Sequence, residues 1–269
     1  MLLRTLKMAF WISYDHLGKL VAANLISMVA ALPLVMAVYG GLALNDPAAA
    51  LAVAAPAGLL LFGLVLPVAG AGMAAMVKEC IDTRDGTLRT FFTGLRQYGL
   101  KAAALGVAYT AVVCCLLVSA WFYTARFGGH WPLLGYTLGA LAVWCLALVL
   151  LSILLVAPAL VQKNAGLWET AKLCVLLVLA NPLFCLCLAI YCLFWTGLSL
   201  APPVLLLFSL APVVVLVSSA YELLARKYAA LETHMAPPEN GGLVKIDFRE
   251  EEDDYLNRGF RDFLFPWKG

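Results

Sequence analysis

Residues 78–101 read KECIDTRDGTLRTFFTGLRQYGLK, and this polar island decides how the chain is organised. It separates two apolar blocks that are each long enough to cross a bilayer, so it sets which side of a membrane the remaining segments face. Within it Leu88, Phe91, Phe92, Leu95 and Tyr98 recur at helical spacing on one face, opposite Arg89, Thr93, Arg96 and Gln97. The spacing predicts a helix lying on a membrane surface. Its Phe91, Phe92 and Leu95 face, with Arg96 alongside, reads either as an interfacial anchor or as a coupling helix that inserts into a partner subunit.

Composition leads to the same class. Of the 269 residues 64% are hydrophobic and 13% charged, whereas a soluble globule is nearer half apolar and a quarter charged. The reading is an all-α, polytopic membrane protein. A net charge of +2, with the charges in loops and tail instead of along one face, gives no reason to expect a nucleic-acid partner. Seven of the eight cysteines lie inside apolar blocks and Cys80 lies in the island, where cysteine behaves as a small hydrophobe. With no histidine among them, neither a metal site nor a cofactor is expected. The N-terminus, MLLRTLKMAFWISYDHLGKL, is too long and too interrupted for a cleaved signal. Leu3, Leu6, Phe10 and Leu17 at helical spacing among charges predict a second interfacial helix there.

Six spans are expected, at about 20–44, 56–76, 102–124, 133–161, 171–198 and 203–224, making residues 1–228 the membrane domain. Ala69, Gly70, Ala71, Gly72, Ala74 and Ala75 form a run of small residues that admits a second helix at close range, and Gly135 and Gly139 form a GxxxG pair read as packing. Asn181 and Pro182 interrupt the fifth span, and Pro212 the sixth. With the N-terminus taken as cytoplasmic, 17 of the 18 Lys and Arg residues fall in inner segments and only Arg126 in an outer loop. The positive-inside rule then sets both termini in the cytoplasm.

Thr5, Leu6, Lys7, Phe10 and Lys19 match Thr87, Leu88, Arg89, Phe92 and Lys101 at a constant offset, which suggests three repeats, each a surface helix followed by a helical hairpin. Residues 229–269 form a linker, an acidic run from Glu250 to Asp254, and an aromatic end. In that end Leu256, Phe260, Phe263 and Leu264 share one stripe, with Arg258, Arg261 and Asp262 away from it and Trp267 beyond. So many aromatics predict a tail that docks on the protein's own inner face, on headgroups or on a partner.

An absence carries the functional reading. No ionisable residue sits in the middle of a predicted span; Glu222 comes nearest, one turn from Arg226. Ion-coupled carriers keep such groups at mid-membrane. Asn24 and Asn181 are the deepest polar residues; they either line a polar cavity with Tyr109, Thr110, Ser152 or Ser209, or bond between helices. No Walker loop, GxSxG elbow, HExxH or paired carboxylates are present, so no catalytic residues are assigned and the chain is not expected to be an enzyme.

NLISMVAALPLV in the first span, LPVAGAGMAAMVKEC closing the second, TLRTFFTGLRQYGLKAA after it, and LANPLF in the fifth resemble the YesL-type family of uncharacterised bacterial membrane proteins. The closing RDFLFPW is similar to the basic-aromatic ending of some members. The resemblance runs from Asn24 to Tyr228. It departs in the Ala-rich passage between the first two spans and in the acidic tail. It implies a six-helix protein of the bacterial inner membrane, often encoded near carbohydrate-uptake ABC transporters. The expectation is an accessory or assembly partner of a transport system, with lipids and transporter subunits as partners. The alternative is a small-molecule carrier with a polar cavity between its spans.

Overall fold

The computed structural model describes residues 1–127, 131–200, 209–235 and 254–258. Among the described residues the fold is entirely helical. The order is α1 (Leu2–Asp15), α2 (Leu17–Leu42), α3 (Pro47–Leu60), a π-helical turn (Leu61–Val65), α4 (Leu66–Asp82), α5 (Leu88–Trp121) with a second π turn (Phe122–Phe127), and α6 (Pro132–Lys163). It continues with α7 (Leu167–Ala180), α8 (Pro182–Leu200), α9 (Leu210–Met235) and the short α10 (Asp254–Asn257).

Among the described residues, four helical stretches are long and apolar enough to cross a membrane: Leu17–Leu42, Pro47–Asp82, Leu88–Phe127 and Pro132–Lys163. A fifth is reached if α7 and α8, bent by 103° at Asn181, count as one. The chain is thus a multi-pass membrane protein by architecture. The described part of the sixth expected span begins at Leu210, because residues 201–208 lie outside the described residues.

The polar island does not form a separate surface helix. Thr87 caps it, its hydroxyl accepting the Thr90 N–H, and from Leu88 the helix continues without a break into the third span. Nothing between Leu88 and Lys101 stops it: the glycines there are tolerated in a helix, and no proline occurs. The continuous helix is held by the small-residue run of α4. A Cβ on Gly94 would lie 2.5 Å from the Ala75 Cβ, one on Gly72 would lie 2.8 Å from Leu95, and one on Gly106 would lie 2.3 Å from the Gly63 carbonyl. Glycine at these positions lets α4 and α5 approach at backbone distance over most of their length. Further along α5, a Cβ on Gly139 of α6 would meet Thr124 of the following π turn at 2.6 Å, so that glycine serves packing as expected.

The α1 face expected at an interface is the outward one, with Leu3 81% exposed and Phe10 51%, while Thr5, Met8, Trp11 and Ile12 on the other face are buried. The helix carries apolar side chains on two faces, and the one bearing Met8, Trp11 and Ile12 packs inward, chiefly against α9. One further expectation is corrected: α7 and α8 do not form one straight span. Asn181 closes α7, Pro182 cannot donate to the preceding turn, and the chain turns a corner there.

Candidate functional site

A cluster of charged and polar side chains gathers where α1, the start of α2, the α4–α5 loop and α10 meet. Tyr255 of α10 is buried, and its hydroxyl donates to the Cys80 carbonyl at 3.2 Å. Arg258 is paired with Asp15 at 2.5 Å and lies 5.3 Å from the centre of the Trp11 ring. Lys7 donates to the Leu256 carbonyl. Arg84 lies over the other side of the cluster, 5.4 Å from the Tyr255 ring. It is held there by a left-handed backbone, φ 59°, that ends α4 and is uncommon for a non-glycine residue. Lys19 at the start of α2 reaches Asp85 in the same loop at 3.3 Å, and Thr90 bonds Glu79 across it. Burial and the carboxylate of Asp15 push the Tyr255 phenol up to about 12, so it stays a neutral donor. His16, at the junction of α1 and α2, is buried, and its Nε2 has no hydrogen-bond partner among the described residues. Burial, then Lys19, lowers its pKa.

The residues singled out in the sequence fall in three places. Phe91 is buried in the α4–α5 interface and so is closed to lipid or a partner, while Leu95 is half-buried there. Opposite them Gly72 leaves room that Phe91 and Leu95 occupy. Phe92, 53% exposed, and Arg96 remain on the open side of the same turns. Phe260, Phe263, Leu264 and Trp267 lie outside the described residues.

Asn24 and Asn181 are joints. Asn24 is fully buried, and its Oδ1 accepts the N–H groups of Leu210 at 3.0 Å and Ala211 at 3.2 Å. It therefore caps α9 from another helix, in a bilayer setting where uncapped donors find no water. Asn181 donates to the Tyr228 hydroxyl at 2.7 Å and accepts from Lys227 at 3.0 Å, which ties the α7–α8 corner to the charged end of α9. The Glu222–Arg226 pair expected from the sequence forms at 2.8 Å.

A cavity of about 760 Å³ lies between α3, α4, α5, α6 and α9. Among the described residues, neither Asn24 nor Asn181 lines it, nor does any Asp, Glu, Lys, Arg or His. Its polar groups, Tyr109, Thr110 and Cys114, all come from α5, and Tyr109 is shared with Ser152 at 3.3 Å. The cavity expected of a carrier is present, but it is apolar instead of polar. Among the described residues, no group of three or more His, Cys, Asp or Glu side chains could hold a metal ion.

Sequence reasoning missed Tyr255 and Asp15, and set Arg258 on the side away from the contact. A tyrosine directly after five acidic residues was the available signal, but its partners lie more than 170 residues away in the chain. Comparison with protein-family models, with curated proteins and with solved structures finds no match to this chain.

Proposed function

We propose that the chain is a multi-pass protein of the bacterial inner membrane that works as a non-enzymatic accessory or assembly partner of a transport system, through its cytoplasmic face. The carrying observation is the inner-end cluster. Its helices are fastened to one another by Tyr255, Arg258 and Lys19, while Phe92 and Arg96 stand uncovered beside them on a helix rooted in the membrane. A fastened surface with an exposed aromatic and a cation suits a protein partner, because little side-chain and loop order has to be gained on binding.

The reading has six crossings with both termini inside. Asn24 lies eight residues beyond His16, about 12 Å along α2 at 1.5 Å per residue. On this reading α9 therefore starts inside the apolar layer and runs inward to Lys227. The ends of α7 both lie near inner-face residues, Lys163 in sequence and Lys227 through Asn181, so α7 serves as a surface leader and α8 crosses alone. This arrangement supports the three-repeat reading: α1, the first turns of α5, and α7 each precede a span. The motif resemblance to the YesL-type family supports the link to carbohydrate uptake.

The test is a gentle-detergent purification of the full-length protein and of a form lacking Asp254–Gly269, with mass spectrometry of what co-purifies. The expected result is a stoichiometric transporter subunit that is lost with the truncation. An unchanged partner list, or none from the full-length protein, would sink the proposal.

A further inference from the structure

We propose that the apolar cavity holds an acyl chain of an anionic membrane lipid, with the headgroup at the cytoplasmic end. The inference goes beyond the accessory reading and stands on separate observations.

The first is shape. On α5 the lining runs from Ala102 to Cys114, about 18 Å at 1.5 Å per residue, so the cavity is elongated along the helices. The volume of about 760 Å³ lies within the range of about 300–1,000 Å³ usual for ligand sites.

The second is chemistry along the length. The floor is buried, at Gly70, Ala102, Gly106 and Val214, while Leu59 and Phe62 on one rim and Leu150 on the other are exposed. The lining carries no charge, and its few hydroxyl and thiol groups need no ionic partner. A flexible apolar chain entering from the bilayer matches such walls; a sugar or amino acid would leave most of its hydrogen bonds unmet.

The third is the asymmetry of the two ends. Lys101 adjoins Ala102 in sequence and bonds Asn164 at 3.1 Å, joining α5 to α6 just past the inner end, and Lys163 lies three residues beyond Leu160. At the outer end Asp46 and Arg126 are more than two helical turns from the nearest lining residues, Ala54 and Cys114. An amphiphile whose phosphate meets the lysines runs its chain into the cavity.

The experiment reconstitutes the full-length protein in vesicles of phosphatidylethanolamine and phosphatidylglycerol, with a trace of phosphatidylglycerol bearing a photoreactive diazirine in its chain. After irradiation, adducts are expected on residues 102–114 at least fivefold above those around Trp144, an exposed residue outside the cavity. Gly58 lines the cavity and a Cβ there meets nothing, and the same space is open at Gly40, which does not line it. Gly58→Phe should therefore remove the cavity adducts while Gly40→Phe keeps them. Labelled phosphatidylcholine should give several-fold fewer adducts, and Lys101→Gln should erase that preference. Adducts spread in proportion to exposure would overturn the chain site, and the wild-type protein alone suffices to show this even if Gly58→Phe fails to fold. Persistence of the adducts in a folded Gly58→Phe would overturn it equally, and equal labelling by the two lipids would overturn the headgroup assignment.

Discussion

Asn24, in the third turn of α2, caps α9 at Leu210, accepting that residue's N–H at 3.0 Å and the next one at 3.2 Å. One side chain thus settles two donors that would otherwise be stranded in an apolar layer. Replacing it by alanine should cost about 1–3 kcal/mol, the penalty for a buried group left without its partner. Thermal unfolding in detergent should show the loss, with amide exchange of Leu210 and Ala211 rising first.

The glycine contacts between α4 and α5 predict a graded series. Gly106→Ala forces a Cβ against a backbone carbonyl and the Pro67 ring, at 2.3 and 2.5 Å, whereas Gly94→Ala meets a methyl group at 2.5 Å. Overpacking of this sort typically costs about 1–3 kcal/mol, and the backbone contact should be the worse. At Gly40, where nothing lies within 4 Å, alanine should be neutral or slightly stabilising. Melting temperatures of the three variants measure the order.

Much of this packing was legible in the sequence, because small residues clustered at helical spacing have few other uses in a membrane. The run Ala69 to Ala75 announced a close neighbour, and the positions of apolar blocks located four crossings. The partner of that run was not legible: Phe91 and Leu95 look like lipid anchors until Gly72 is seen opposite them. Helix α1 was legible in part: the Leu3 and Phe10 face was expected outward, but in a bilayer both faces of a helix can be apolar, so periodicity alone did not show Met8, Trp11 and Ile12 packing inward. The break at Asn181 and Pro182 was legible, but the bond from Lys227 that ties down this corner and the docking of Tyr255 join residues 46 and 175 apart in the chain, and no local pattern encodes them.

The Tyr255 contact should be separable from the stability of the bundle. Tyr255→Phe loses one hydrogen bond to Cys80, about 0.5–1.5 kcal/mol, and Arg258→Ala loses a partly exposed ion pair, about 0–1 kcal/mol. Neither should unfold the spans. Both should raise hydrogen exchange of α1 around Met8 and Trp11, with the double variant releasing α10 entirely.

His16 predicts a pH dependence. Its pKa is lowered in the fold from 6.5, so the unfolded chain takes up the proton first. Stability is therefore complete above about pH 6.5 and is lost as the pH falls through that value. Melting temperatures between about pH 7.5 and 5.5 should fall more for the wild type than for His16→Gln. Identical slopes would mean that His16 has no part in this dependence.

If the proposed function holds, the fastened cluster faces the cytoplasm, and a sidedness assay decides the matter. Single substitutions Asp46→Cys, Asp85→Cys, Arg126→Cys and Glu169→Cys place a thiol in each of four connections. The native thiols are either buried or on the apolar faces of the spans, beyond reach of a charged, membrane-impermeant maleimide. On intact cells the reagent should label positions 46 and 126 and spare 85 and 169, which should react only after the membrane is opened. Labelling of 85 or 169 on intact cells would turn the cluster outward and contradict a cytoplasmic docking face.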